Sequence, residues 1–127
     1  MSEVPEDLRY TKEHEWVRVE GDRAAVGITD HAQNELTDVV YIELPSVGDE
    51  FAEGQGFAVV ESVKAASEIF APVPGTVAEV NKDLDDHPEL VNESPYEAGW
   101  LIVLTPSGEG DALLTAAEYQ DLIEGET

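Results

Sequence analysis

One lysine stands out among the residues whose types could carry chemistry. Lys64 lies in the run ESVKAASEIFAPVPG, from Glu61 to Gly75, in a chain with 29 acidic and 6 basic residues. Its neighbours Val63 and Ala65 are poor turn formers, since tight turns favour Gly, Asn, Asp and Pro. A single long amine on a hairpin tip favours a carrier that holds a covalently attached group. The plain alternative is an ordinary surface lysine, because most lysines are exposed.

The histidines and carboxylates do not predict an enzyme active site or a metal site. Glu13, His14 and Glu15 are consecutive, and in a strand His14 would point away from both neighbours. His14, His31 and His87 lie far apart without the spacing of metal ligands. The acidic run DLDDHPEL lacks the Gly and the distal Glu of a calcium loop. We interpret it as a solvated loop.

The charge of the chain limits its partners. The formal net charge is −23, so neither nucleic acid nor a membrane is an expected partner. The acidic residues run from Glu3 to Glu126 and are not concentrated in a tail. Acidity spread over a whole surface is typical of adaptation to high salt, where screening weakens self-repulsion. We expect a halophilic source.

The composition and length also indicate the cellular compartment and the number of domains. Cysteine is absent, which excludes disulfides and thiolate chemistry from the protein itself. We do not expect the segment MSEVPEDLRY to be a secretory signal, because it has no basic and apolar regions, and no apolar run approaches the length of a membrane span. We therefore expect a cytoplasmic protein with one domain, residues 1–127.

Short β-rich runs between Gly and Pro turns predict a mainly β fold. A hairpin is expected where Gly21 and Asp22 separate EWVRV from RAAVGI. The other predicted strands are VVYIEL (39–44), FAVVES (57–62), ASEIF (66–70), GTVAEV (75–80) and GWLIVL (99–104). Several short strands at this spacing predict a sandwich or a barrel.

Two segments predict helices. In ITDHAQNEL the apolar residues Ile28, Ala32 and Leu36 lie four apart and Thr29 is a natural N-cap, so we expect a short helix near 29–36. The capping box TAAE, which begins at Thr115, predicts a C-terminal helix near 116–124 that ends at Gly125.

Two segments of similar design flank the lysine. PSVGDEFAEGQGFAVVES leads into it and ASEIFAPVPGTVAEVNKDL leads away, each with a strand, a Pro/Gly turn and another strand. We therefore predict that Lys64 is exposed at a hairpin tip, with Glu61 and Ala66 on the two flanking strands.

Four segments resemble successive blocks of the H-protein family of the glycine cleavage system: GITDHAQNEL, VVYIELPSVGD, ESVKAASEIFAPVPGTVAEVN and NESPYEAGWLIVL. The resemblance extends from about Tyr10 to the final helix. It implies a barrel-sandwich hybrid with a lipoyl-domain core at about 38–105, extra N-terminal strands and a C-terminal helix.

The resemblance further implies that Lys64 carries lipoate in amide linkage. The family pattern has a Glu three residues before the lysine and a Gly eleven residues after it, and Glu61 and Gly75 occupy these positions. Together with Val63 and Ala65, they are the residues expected to be recognised during lipoylation.

The same resemblance implies a shuttle that catalyses no step alone. A pyridoxal-phosphate glycine decarboxylase (P protein) loads an aminomethyl group onto one lipoyl sulfur and releases carbon dioxide. A tetrahydrofolate-dependent aminomethyltransferase (T protein) takes the methylene carbon and frees ammonia, and dihydrolipoyl dehydrogenase (L protein) reoxidises the dithiol. These three enzymes and a lipoate-attaching enzyme are the implied partners. The cofactor thus supplies sulfur chemistry to a chain without cysteine.

Several alternatives stay open. A biotin carrier has Met beside its lysine, whereas Met1 is the sole methionine here. A lipoyl domain of a 2-oxoacid dehydrogenase usually has Asp before the lysine and long Ala/Pro-rich linkers. An H-like lipoate relay that feeds other acceptors, or an unmodified acidic binding module, would have the same fold.

The resemblance also implies a protective cleft. An aminomethyl group on sulfur reacts with water, and a closed site excludes water. We expect the loaded arm to fold back toward the helix near 29–36 and the N-terminal strands, while the oxidised arm swings free. Glu15, Asp30 and Glu35 are available there to attract its ammonium group.

Overall fold

The computed structural model describes residues 3–110 and 113–125 of the chain. Its strands form a six-stranded sheet in the order β1-β2-β3-β9-β8-β5 and a three-stranded sheet in the order β4-β6-β7, and neighbouring strands are antiparallel. In chain order the elements are β1 (Arg9–Tyr10), β2 (Glu15–Glu20), β3 (Arg23–Ile28), α1 (Asp30–Leu36), β4 (Val39–Glu43), β5 (Glu50–Phe51), β6 (Gly56–Ser62), β7 (Ala66–Phe70), β8 (Gly75–Val80), α2 (Asp83–Asp86), α3 (Leu90–Glu93), β9 (Ile102–Pro106) and α4 (Ala116–Gly125).

Most strands lie where the sequence predicts them, and the mainly β fold is confirmed. The turn between β2 and β3 is at the expected dipeptide, with Gly21 at a φ of 62° that favours glycine. The last long strand begins at Ile102 and not at Gly99 as predicted. A Cβ on Gly99 would lie 2.7 Å from the carbonyl oxygen of Leu90, so this glycine permits a close approach to α3 before the strand begins.

Both predicted helices are confirmed, including their caps. The Thr29 hydroxyl accepts a hydrogen bond from the amide of Ala32 at 3.2 Å, at the start of α1. At the start of α4, the amide of Thr115 donates to the Glu118 carboxylate, and the amide of Glu118 donates to the Thr115 hydroxyl. None of the helices in the described ranges is long and apolar enough to cross a membrane.

The interpretation of DLDDHPEL as a solvated loop is wrong. Helix α2 starts within this run and α3 starts at its end, and each places one apolar side chain, Leu84 and Val91, in the core. Each of these helices has only four residues and one buried apolar side chain, so the sequence shows no apolar periodicity there. Strands β1 and β5 are missing from the prediction because two residues are too few to show an alternation.

Buried residues form two clusters, which the alternation of β2 assigns to opposite faces of the larger sheet. Val17 belongs to the main cluster, together with Ile42 and Val60 of the three-stranded sheet. Trp16 points the other way, into a second cluster that includes Tyr119 of α4. The N-terminal strands therefore join the two-sheet core to the C-terminal helix.

Candidate functional site

Lys64 lies at the tip of the hairpin formed by β6 and β7, and it is exposed. Glu61 pairs with Ala66 where the two strands end, as predicted. Val63 and Ala65 are exposed on either side of the lysine. The hairpin thus presents a single amine at the end of a regular two-stranded support.

Ser62 holds this turn together. Its hydroxyl accepts hydrogen bonds from the amides of Lys64 at 3.2 Å and Ala65 at 3.0 Å. Its own amide donates to the carbonyl of Ala65 at 2.8 Å. A serine hydroxyl that bonds to nearby backbone can replace Gly or Asn in shaping a turn. The sequence pattern did not point to this role, although a serine two residues before the tip is a signal for it.

The Lys64 stem extends toward helix α1. Its Nζ donates to the carbonyl oxygen of Glu35 at 3.0 Å, near the end of that helix, where carbonyls lack intrahelical partners. The amide of Val63 donates to the carbonyl of Asp38 at 3.1 Å, which fixes the tip to the start of β4. Lys64 is therefore neither in a helix nor buried in a salt bridge, and the residue is exposed.

The residues expected to be recognised during lipoylation fall into two places. Glu61, half-buried, and the exposed Val63 and Ala65 surround the lysine. Gly75 begins β8, five residues after β7 ends, and the structure does not bring it to the tip. A Cβ at Gly75 would lie 2.6 Å from the carbonyl oxygen of Thr105, so this glycine permits the close pairing of β8 with β9.

Glu15 is a buried carboxyl at the other end of β7. Only 1% of the residue is exposed, and its carboxyl accepts hydrogen bonds from the Thr11 hydroxyl and, at 3.2 Å, from the amide of Phe70. Burial raises the pKa of Glu15 to about 7, and these hydrogen bonds oppose the shift. The residue joins the N-terminal segment to β7.

The other two acidic residues named for the cleft lie elsewhere. The Asp30 carboxylate accepts from the Gln33 side chain at 2.7 Å and from the amide of Glu3 at 2.9 Å. The Glu35 carboxylate lies at the Lys64 end of α1, 3.0 Å from Nε2 of His31. The three carboxylates therefore do not form a single group.

Helix α1 and strand β7 connect Lys64 to Glu15. At one end, Lys64 touches the Glu35 carbonyl, and β7 begins two residues later. At the other end, the amide of Phe70 donates to Glu15, which is paired with Ile28, two residues before α1 begins. The surface between α1 and β7, called here the α1–β7 strip, thus leads from the lysine to the buried carboxyl.

The predicted placement of the histidines is partly wrong. His14 precedes β2 with a φ of 72°, so it is not a strand residue, and its ring lies 4.7 Å from that of His31. Its Nδ1 is 2.8 Å from the Tyr119 hydroxyl, which is 2.7 Å from the Thr29 hydroxyl. Sequence spacing could not show this long-range network. Within residues 3–110 and 113–125, no cluster of three or more His, Asp or Glu could hold a metal ion.

Comparison with known proteins assigns the family. A family model, Glycine cleavage H-protein, matches residues 8–126. The glycine cleavage system H protein of Halalkalibacterium halodurans is 55% identical over 128 residues, which is 99% of this chain and 100% of that protein. That of Geobacillus kaustophilus is 58% identical over 122 residues, 94% of this chain and 96% of that protein.

A solved structure agrees with the family model. The crystal structure of a glycine cleavage system H protein from Mycobacterium marinum matches with a TM-score of 0.90 at 38% identity, covering 95% of this chain and 99% of that chain. The chain therefore belongs to the glycine cleavage H-protein family, the lipoyl carriers of the glycine cleavage system, which are not themselves catalysts.

Proposed function

We propose that this chain carries lipoate on Lys64 and presents it in turn to the P, T and L proteins of the glycine cleavage system. The observation that supports this most is the exposed Lys64 amine at a serine-bonded hairpin tip. In amide linkage there, lipoate supplies a disulfide that accepts an aminomethyl group with two electrons, and a dithiol that returns those electrons to a flavin enzyme.

The residues around Lys64 fit an acylated lysine. Acylation removes the positive charge, which has no carboxylate partner within residues 3–110 and 113–125, where Nζ donates to a backbone carbonyl. The amide keeps one N–H, which can still donate to the Glu35 carbonyl and hold the stem against α1. We propose that Glu61, Val63 and Ala65 are read by the lipoate-attaching enzyme, whereas Gly75 acts through the fold.

The α1–β7 strip is the proposed resting place of the loaded arm. From Lys Cα to a lipoyl sulfur there are about twelve bonds of about 1.5 Å, which advance roughly 15 Å in total. The five residues of β7 span about 16 Å at ~3.3 Å per residue. The arm starts at Lys64, two residues before β7, so it reaches most of the way along the strip and its loaded end lies toward Glu15, the proposed neighbour of that group.

The NMR chemical shifts of backbone amides distinguish an arm that rests on the strip from an arm that is free. Loading by the decarboxylase and glycine should shift the resonances of Ala32, Leu36 and Phe70 along the strip. The oxidised lipoyl protein should shift only those of the hairpin tip. Shifts confined to Ser62–Ala66 in both states would show that the arm has no resting place on this chain.

The broader setting is also part of the proposal. We place the lipoyl core at about 38–105 within one domain and the protein in the cytoplasm of a salt-adapted organism. The bacterial relatives support the setting, and the net charge of −23 supports the salt adaptation.

Substitution of each lysine tests the attachment site. The chain has two other lysines, Lys12 and Lys82, which serve as matched controls. Lys64→Arg should keep the fold, because the long cationic stem is retained, and should abolish lipoylation by the attaching enzyme. Lys12→Arg and Lys82→Arg should be lipoylated like the natural sequence. Lipoate on the Lys64→Arg variant would show that another residue is the acceptor.

A further inference from the structure

Exposed apolar side chains concentrate beside the hairpin tip. Within the part of the chain that the structure describes, five large hydrophobic residues are exposed. Three of them lie at the tip or on the adjoining strand β4: Val40 (54%), Tyr41 (54%) and Val63 (71%). The other two, Val19 and Val47, lie on β2 and in the loop after β4. We call the first three residues the tip patch.

The local geometry of β4 creates this patch. Val39 and Ile42 are buried, whereas the two residues between this buried pair, Val40 and Tyr41, are both exposed. A register shift between Val39 and Tyr41 accounts for this succession. Tyr41 pairs with Glu61 of β6, so it lies beside the support of Lys64. A β-bulge commonly redirects side chains in this way, and bulges occur often next to functional sites.

The backbone of β4 is not suited to accept another strand. It is an edge strand, but the same bulge interrupts its hydrogen-bonding pattern, a common protection against strand addition. In addition, the Asn92 side-chain oxygen accepts from the amide of Val39 at 2.8 Å. A partner would therefore contact the side chains of the patch and not extend the sheet.

We propose that the tip patch is the docking surface for the glycine decarboxylase, an inference that rests on the proposed function. Val63 is the chain neighbour of Lys64, and Tyr41 pairs with Glu61 at the end of the hairpin that carries the lysine. We therefore expect an enzyme that receives the arm to contact this surface. Loading is the step at which water would destroy the product, and apolar contact around an entrance excludes water. Tyrosine is also a common centre of binding energy in interfaces.

The charges around the patch define the partner surface. The exposed residues Asp38 and Glu43 and the half-buried Glu61 border it, and each is acidic. The occupant is therefore a decarboxylase surface with an apolar recess for Tyr41, rimmed by Lys or Arg beside its active-site entrance. Such complementarity raises association rates and selects partners.

Truncation of the tyrosine tests the inference by binding. The lipoylated protein is titrated with the decarboxylase of the same organism, for the natural sequence, Tyr41→Ser and the matched control Val47→Ser. Val47 is similarly exposed, at 61%, but lies outside the patch. We expect the dissociation constant to rise by about tenfold or more for Tyr41→Ser and to stay unchanged for Val47→Ser. In turnover, Tyr41→Ser should raise KM and leave kcat unchanged.

The acidic border is tested with salt. Binding of the natural sequence should weaken as KCl rises, and Glu43→Gln should reduce this dependence, since screening acts on charge pairs. Natural-sequence affinity that does not fall with KCl would overturn the basic rim.

Other outcomes separate the inference from the proposed function. Three results would overturn the docking surface alone. Tyr41→Ser could bind the decarboxylase as tightly as the natural sequence, or Tyr41→Ser and Val47→Ser could lose equal affinity. The natural protein could also be a dimer that Tyr41→Ser dissociates. A natural protein that is lipoylated but never binds the decarboxylase would overturn both the docking surface and the proposed function.

Discussion

Glu15 is a buried carboxyl whose ionisation affects the stability of this fold. Its carboxyl is buried between the Thr11 hydroxyl and the amide of Phe70. Burial raises its pKa from 4.5 to about 7. Because the folded pKa lies above the unfolded value, the folded state holds a proton between these pH values that the unfolded state has released. Stability from this group therefore falls as the pH rises from about 4.5 to about 7.

Glu15→Gln should remove this pH dependence. Below pH 4.5 the variant and the natural protein should be nearly equal in stability, since both carry a neutral side chain. Above pH 7 the variant should be more stable by up to about 3 kcal/mol, from 1.36 kcal/mol per pKa unit. Urea unfolding at several pH values measures the difference, and the rest of the acidic surface is common to both proteins. A constant difference across this range would contradict the buried, pH-sensitive carboxyl.

The sequence identifies some site residues but not others. The sequence alone shows that lysine is scarce and that Lys64 lies between two predicted strands, and it predicts Glu61 and Ala66 on those strands. The burial of Glu15 was not visible, because its partner Phe70 lies 55 positions away in the sequence. Ser62 could have been predicted to stabilise the turn, because a serine hydroxyl bonds readily to nearby backbone amides. The prediction considered only that Val63 and Ala65 are poor turn formers.

At the scale of elements, the C-terminal helix α4 supports the start of α1. The Tyr119 hydroxyl lies within hydrogen-bonding distance of His14 and of Thr29, the N-cap of α1. Its ring stacks on Tyr10 with centroids 4.7 Å apart. Helix α1 in turn contacts the Lys64 stem, so α4 stabilises one wall of the α1–β7 strip.

Tyr119→Phe should loosen this support without changing the packing. The ring and its stacking are retained, while the hydroxyl that bonds to His14 and Thr29 is lost. We expect a destabilisation of about 1–2 kcal/mol, typical of a lost buried hydrogen bond, and faster amide exchange in α1. Tyr41→Phe removes an exposed hydroxyl and serves as the control. Unchanged exchange in α1 would show that α4 does not support that helix.

Elements with a regular pattern were predictable, and those fixed by single anchors were not. Strands β3, β7 and β8 lie where their sequences predicted. Helices α2 and α3 have four residues each, and each depends on one buried apolar side chain. The packing of two sheets with α4 arises from contacts between distant segments, which periodicity does not encode.

At the scale of the molecule, negative charge dominates the surface. The chain has 29 acidic residues against six lysines and arginines. The ion pairs of arginine in the described ranges are Arg18 with Glu97 and Arg23 with Glu79. Self-repulsion therefore opposes the compact state, and added salt screens it.

Stability should rise with KCl concentration. We expect a higher thermal unfolding midpoint at molar KCl than at low salt, because the Debye length falls from about 30 Å at 0.01 M to about 3 Å at 1 M. Asp85→Asn with Asp86→Asn, both exposed on α2, should raise the midpoint at low salt and reduce its response. A midpoint indifferent to KCl would count against salt adaptation.

The most direct measurement for the central claim is the intact mass of the protein purified from its natural host, followed by identification of the modified peptide. The account predicts one lipoyl group in amide linkage, on the peptide that contains Lys64. An unmodified Lys64, or a lipoyl group on Lys12 or Lys82, would contradict it.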